Sequence, residues 1–210
     1  MKFSELLSLA SDLPAFSSSL LIAGDVSAAY VRRQLSEWVS TGRVIRLRKG
    51  LYAPAPEYRK YEPDRFVVAN LIRSGSYVSL QSALGFEGLI PEVVPAVTSV
   101  WTGRPGEVVN PLGRFIYRHL SAHMLFGYRT LGMGHEQEAL MATPEKALLD
   151  LVHLTPAADD VGYLRELRLQ NLEVLSATKL EQFARRTERP KLERAASIVS
   201  EWIALGDVPE

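Results

Sequence analysis

The sequence of 210 residues contains no cysteine. Disulfide frameworks, cysteine-bound zinc and thiol catalysis are therefore excluded, and the absence suits a reducing compartment. No apolar run approaches the roughly 20 residues that a membrane-spanning helix needs, and the first residues lack the cationic start and long apolar centre of a secretory signal. We therefore expect a cytoplasmic protein. Its 47% hydrophobic residues are enough for a packed core.

Signatures of catalysis and cofactor binding are also missing. The chain has no nucleophile elbow, no Walker loop and no dinucleotide-binding fingerprint. His119 and His123 lie four residues apart, but His119 continues a strand pattern, and His135 and His153 add no complementary spacing for a metal. We therefore expect no catalytic site, no bound cofactor and no bound metal ion.

Positive charge is concentrated near the N-terminus, although the formal net charge of the whole chain is +0. Residues 1–60 hold nine lysines and arginines against five acids, whereas residues 61–210 hold fifteen against nineteen. A basic head on an acidic body creates a local field that attracts anions. Such an asymmetry also arises by chance, so its meaning depends on where the cations lie.

The N-terminal segment predicts three successive helices. The first is expected over 4–11, and its inner face should carry Leu6, Leu9 and Ala10. A short apolar helix over 18–23 should follow and break at Gly24-Asp25.

The third helix is expected over 27–41. Asp25 or Ser27 can cap it, because either side chain accepts hydrogen bonds from the free amides of a first turn. Its apolar residues recur at spacings of four, three and one, which places them on one face of a helix. These residues are Val31, Leu35, Trp38 and Val39.

A basic hairpin is predicted directly after this helix. Residues 44–47 and 51–53 have the composition of two short strands, and Gly50 can supply the positive φ of a tight reversal. Helix, short helix, longer helix and hairpin is the order of a winged helix-turn-helix, in which the third helix enters the major groove of DNA. We assign this DNA-binding domain to residues 1–56.

Residues 57–210 predict a larger α+β domain of mixed strands and helices with a helical C-terminal tail. A proline-rich linker over 53–63 joins it to the head. The patterns predict helices over 63–74, 80–87 and from Thr143-Pro144, a helical tail over 161–205, and strands over 94–102, 113–120, 128–131 and 138–141.

The outer face of the third helix carries side chains that can read bases. Tyr30, Arg33 and Gln34 should point away from the buried stripe, with Arg32 at its margin. Arginine and glutamine can pair with guanine and adenine edges through two hydrogen bonds. Any surface helix also has a polar face, so these residues alone do not decide the function.

The hairpin shifts the interpretation towards DNA. It holds four cations in seven residues with no acid between them, namely Arg43, Arg46, Arg48 and Lys49. Arg46 and Arg48 should project to the same face of the strand, because side chains alternate with a period of two. Such a cluster repels itself unless it meets an anion, and phosphate is the anion that a wing meets.

Several blocks of the sequence resemble the AbiE-type (AbiEi) antitoxin family of type IV toxin–antitoxin systems. The hairpin run RLRKGLY at 46–52 is similar to the family's wing. The blocks that follow in family order are YVSLQSAL at 77–84, GLIPE at 88–92, VTSV at 97–100, TGR at 102–104, PLGRF at 111–115, YRH at 117–119, FGYR at 126–129 and ATPEKALLDL at 142–151. The resemblance covers residues 15–155.

The resemblance implies a bacterial antitoxin and autorepressor. Members of the family bind inverted repeats upstream of their own operon through an N-terminal winged helix and repress it. Recognition of inverted repeats would need two copies of the chain, as a dimer or as monomers that bind DNA cooperatively. Their C-terminal domain antagonises a nucleotidyltransferase-like toxin without forming a stable complex. On this chain, the DNA-reading helix would be 27–41 and the wing 43–53.

Two other functions remain open from the sequence. The first is a stand-alone winged-helix regulator whose C-terminal domain senses a ligand or a partner. The second is an enzyme that processes nucleic acid, which would need a carboxylate cluster on a strand. Glu107, Glu136 and Glu138 are the acids near the predicted central strands.

Overall fold

A computed structural model describes residues 2–22, 27–92 and 94–208, and it shows an α+β protein with eight α-helices and nine strands in these ranges. The strands form a small sheet of three and a larger sheet of six. Within the described ranges, no helix is both long and apolar enough to cross a bilayer.

The N-terminal part, which we call the head, contains three helical segments and the small sheet. In chain order these are α1 (Phe3–Ala10), β1 (Phe16–Ser17), a 3₁₀ turn (Ser18–Leu21), α2 (Ala28–Ser40), β2 (Val44–Arg48) and β3 (Leu51–Pro54). The sheet is antiparallel with the order β1-β3-β2. The first and third predicted helices and the hairpin are confirmed. The second helix, predicted over 18–23, is a four-residue 3₁₀ turn in the described residues, and β1 was not expected.

Local signals explain where α2 begins and where the hairpin turns. The Ser27 side chain caps α2 by accepting a hydrogen bond from the Tyr30 amide at 3.2 Å. Asp25, the alternative cap, and the predicted break at Gly24-Asp25 lie outside the described residues. Gly50 has φ of 81° at the turn between β2 and β3, as predicted.

The head has its own apolar core. It consists of Leu6, Ala10, Phe16, Leu21, Val31, Leu35, Trp38 and Val44. The predicted stripe of α2 is thereby confirmed, with Val39 packed at its edge. Leu9 was wrongly placed inside, because the buried side of α1 follows Leu6 and Ala10, four residues apart, and leaves Leu9 54% exposed.

The larger part of the chain builds a mixed six-stranded sheet. Its elements are α3 (Arg65–Ile72), β4 (Tyr77–Val78), α4 (Leu80–Phe86), β5 (Val97–Trp101), β6 (Gly106–Asn110), β7 (Gly113–His119), β8 (Tyr128–Gly132) and β9 (Glu138–Ala142). The strand order is β6-β7-β5-β4-β9-β8, with parallel pairs β5–β7 and β4–β9. The α+β prediction is confirmed.

The C-terminal part is helical, as predicted. It contains α5 (Pro144–Leu154), α6 (Val161–Glu166), α7 (Ala177–Arg186) and α8 (Pro190–Leu205). Helices α7 and α8 pack against each other and against α5, so α5 is enclosed and nine of its residues are buried.

This enclosure buries an ion pair that the sequence did not predict. Lys146 and Asp150, one turn apart on α5, form a salt bridge with both side chains at 0% exposure. Asp150 also accepts hydrogen bonds from the Tyr77 hydroxyl at 3.0 Å and the Ser79 hydroxyl at 2.8 Å. Burial raises the pKa of Asp150 and lowers that of Lys146, and the attraction between the two charges opposes both shifts.

Candidate nucleic-acid interface

Helix α2 presents the predicted reading residues on its outer side. Tyr30, Arg32 and Arg33 are exposed, and Gln34 is half-buried. The Arg33 guanidinium lies 5.8 Å from the centre of the Tyr30 ring. The burial of Val31, Leu35 and Trp38 fixes which face of the helix these residues occupy.

The hairpin belongs to two apolar cores at once. Val44 lies in the core of the head, whereas Leu47, Leu51 and Ala53 belong to the larger core that is built mainly by residues of the six-stranded sheet and the C-terminal helices. The two strands also depart from regular pairing, because Arg46 lies opposite Tyr52 while Arg48 lies opposite Leu51. Because of this irregularity, the side chains of Arg46 and Arg48 point in different directions.

The expectation that Arg46 and Arg48 project together is therefore wrong. Arg46 is exposed, whereas Arg48 is partly buried and donates from Nε to the carbonyl of Ile72 at 2.8 Å. A second guanidinium nitrogen of Arg48 donates to the Lys49 carbonyl, also at 2.8 Å. Arg48 thus attaches the hairpin to the end of α3.

A cleft between α2 and the hairpin brings three of the predicted cations together. Its volume is about 320 Å³, and it is lined by Ser18, Arg32, Ser36, Val39, Arg46, Lys49, Gly50 and Tyr52. Arg32 comes from the helix, and Arg46 and Lys49 come from the hairpin. We call these three residues the cleft cations.

The cleft cations are well placed to hold an anion. None of the described residues that line the cleft is an acid, and none of the three cations forms a salt bridge within the described part of the chain. The hydroxyls of Ser18 and Ser36 add two possible donors that sequence reasoning missed. Ser36 lies four residues after Arg32, so helical spacing could have identified it.

Arg43 lies at the other end of β2, outside the cleft lining. It is exposed, and its guanidinium is 5.3 Å from the centre of the Phe3 ring on α1. The structure therefore does not bring Arg43 together with the cleft cations.

Further contacts fix the head against the larger domain. The Asn110 side chain, at the end of β6, donates to the Leu47 carbonyl of the hairpin at 3.2 Å. Gln137 holds the linker by donating to the Glu62 carbonyl at 2.9 Å and accepting from the Asp64 amide at 2.8 Å. Hairpin and linker are thus attached to the larger domain at separate points.

The residues considered for metal or acid-base chemistry do not assemble into a site. His119 lies on β7, and its Nδ1 is 3.1 Å from the carbonyl of Gly103. Glu107 accepts two hydrogen bonds from Arg114, at 2.7 and 2.8 Å, and this pairing lowers the pKa of Glu107. Among the residues that the structure describes, no group of three histidines or acids could hold a metal ion.

Comparison with known proteins identifies no family. No protein-family model matches the chain, and no curated protein matches it. Among solved structures, one described as the crystal structure of RV2827C protein from Mycobacterium tuberculosis aligns with 99% of this chain and 82% of that chain. The two share 13% sequence identity with a TM-score of 0.49, a likeness that does not place this chain in a family.

Proposed function

We propose that the chain is a DNA-binding transcriptional regulator that acts in the cytoplasm through its head. The observation that carries this proposal is the cleft, in which three cations from two separate elements converge without a described acid. Like charges repel unless an anion lies between them, and a backbone phosphate of DNA meets this requirement. The proposal includes no catalytic step.

The arrangement of the head supports a winged helix as the binding unit. Its elements follow the expected order, and β1 adds a third strand beside the hairpin. Helix α2 would enter the major groove, where Tyr30, Arg33 and Gln34 can reach base edges. The cleft cations would bind the phosphate backbone of the DNA beside that groove. Arg48 would act indirectly by holding the hairpin in place.

The more specific role that we propose is an autorepressing antitoxin of a type IV toxin–antitoxin pair. This part rests on the resemblance of residues 15–155 to the AbiE-type family. The partners would be operator DNA with inverted repeats, bound by two copies of the chain, and a nucleotidyltransferase-like toxin that is not stably bound. The test is co-expression with a nucleotidyltransferase-like protein encoded by a neighbouring gene: if that protein alone arrests growth, this chain should restore growth. Continued growth arrest in the presence of this chain, or the lack of such a neighbouring gene, would contradict the antitoxin role.

Fluorescence anisotropy with two DNA duplexes tests the DNA-reading role. One duplex carries the sequence upstream of the gene, and the other is a scrambled version of it. Arg33→Ala should reduce the difference in binding free energy between the two duplexes by about 1–3 kcal/mol, because it removes a base contact. Arg46→Gln/Lys49→Gln should weaken binding to both duplexes alike.

Arg165→Gln/Arg185→Gln is the matched control, since it removes the same charge from the exposed sides of α6 and α7. It should bind both duplexes like the unmodified protein. Equal binding of both duplexes by the unmodified protein would contradict base reading. Equal weakening by the control and the hairpin variant would contradict the proposed role of the cleft.

A further inference from the structure

A second basic cleft lies in the larger domain, at the turn between α7 and α8. Its volume is about 570 Å³, and it is lined by His123, Arg186, Thr187, Glu188 and Arg189. Neither arginine forms a salt bridge within the described ranges, although Arg185 and Arg194 on the same two helices do. Arg186 and Arg189 thus line the same cleft without a salt bridge to a described acid.

The positive charge of the cleft also acts on a histidine of α5. Burial lowers the pKa of His153 on α5, and the positive charges of Arg189, Lys146, Lys191 and His123 lower it further. These groups come from α5, from α8, and from the segments before α8 and before β8. Asp150 offsets the charge of Lys146, but Arg189, Lys191 and His123 bring positive charge from separate parts of the chain to one region of a domain that is acidic overall.

The local structure holds the cationic groups in place. The Arg186 guanidinium lies 4.1 Å from the centre of the Phe126 ring, and this cation–π contact restricts the orientation of the guanidinium. Thr187 is buried and donates to the Ala184 carbonyl at 2.6 Å, which fixes the turn. The Arg189 side chain makes no capping hydrogen bond to the 16-residue helix α8, which begins at Pro190 directly after it. Glu193 in the first turn of α8 offsets the partial positive charge of the helix start, so the two arginines are the main source of positive charge in the cleft.

We propose that this cleft binds a small phosphate-bearing anion with more than one negative charge. A guanidinium group matches the geometry of phosphate oxygens, and neither Arg186 nor Arg189 forms a salt bridge with an acid among the described residues. The volume of the cleft lies within the range of small-molecule sites. An extended nucleic acid is disfavoured because residues 61–210 hold nineteen acids against fifteen lysines and arginines. The cleft is separate from the cleft cations of the head and does not depend on DNA binding.

Calorimetric titration of the full chain with inorganic pyrophosphate, without DNA and at constant ionic strength, tests this site. Saturable binding is expected. Arg189→Gln should weaken it about tenfold or more, because it removes a charge-assisted hydrogen bond. Glu188→Gln should strengthen binding, since Glu188 is the one acid among the described residues of the lining. Arg185→Gln is the matched control on α7 and should bind like the unmodified protein.

A second readout is the ionisation of His153, followed by NMR. Bound pyrophosphate should raise the pKa of His153, because it offsets the surrounding positive charge. Arg189 has no hydrogen-bonded side-chain partner in the described part of the chain, so its variant should fold normally, which thermal unfolding can verify.

Three results would overturn the proposal. The first is the absence of saturable binding, with an unchanged pKa of His153. The second is equal weakening by Arg189→Gln and Arg185→Gln, which would indicate unspecific attraction. The third is loss of duplex DNA binding in Arg186→Gln/Arg189→Gln without any pyrophosphate binding, which would assign the cleft to a nucleic-acid surface.

Discussion

The cleft cations make a quantitative prediction for the salt dependence of DNA binding. Each phosphate that a protein neutralises contributes about 0.9 to the slope of log affinity against log salt concentration. If Arg32, Arg46 and Lys49 each neutralise one phosphate, they contribute about 2.7 to this slope. Arg46→Gln/Lys49→Gln should therefore reduce the slope by about 1.8.

Anisotropy titrations at several salt concentrations measure this change. When the salt concentration rises from about 50 to 200 mM, the DNA affinity of both proteins should fall. From the difference in slope, the factor by which it falls should be about twelve times larger for the unmodified protein than for the double variant. Because the comparison uses a difference, phosphate contacts made elsewhere on the protein cancel. An unchanged slope in the double variant would refute the assignment of phosphate contacts to the cleft.

Two further predictions concern residues that act through the fold. Lys146→Met should destabilise the protein by about 3–5 kcal/mol in urea unfolding, because it leaves Asp150 buried without its counter-ion. Loss of Lys146 raises the pKa of Asp150 in the folded protein further. The loss of stability is therefore largest above that pKa, and it shrinks as the pH falls towards the pKa of Asp150 in the unfolded chain. A constant deficit between neutral and acidic pH would contradict this account, and adding Asp150→Asn should recover part of the loss. Arg48→Gln should lower the free energy of unfolding by about 1–3 kcal/mol, because it removes the hydrogen bond to the Ile72 carbonyl. The slope of log DNA affinity against log salt concentration should stay unchanged. A slope as low as that of Arg46→Gln/Lys49→Gln would show that Arg48 contacts phosphate.

Much of the head could be predicted because its signals are local. The spacing of Val31, Leu35 and Trp38 defines the buried face of α2, and Ser27 and Gly50 mark a helix start and a tight turn. These features depend on residues within a few positions of one another. The exposed face of α2, which we propose reads bases, follows from the same periodicity, since the exposed positions are those outside the apolar stripe.

The features that sequence reasoning missed depend on distant parts of the chain. The bulge in β2 and the carbonyl of Ile72, 24 residues away, decide where Arg48 points. Strand β6 is largely exposed, and its residues GEVVN do not alternate between apolar and polar side chains, so no sequence pattern predicts it. Helix α5 contains charged residues that suggest a solvated side, but α7 and α8 cover it and force Lys146 and Asp150 to pair.

Hydrogen–deuterium exchange of the full chain, with and without the upstream duplex, tests the central claim most directly. The measurement locates the bound DNA without relying on any substitution. We predict that DNA slows exchange in α2 and in the hairpin over 43–54, and that the scrambled duplex does so much less. Protection confined to the larger domain, or no change in α2 and the hairpin at saturating DNA, would contradict the proposal that the head reads DNA.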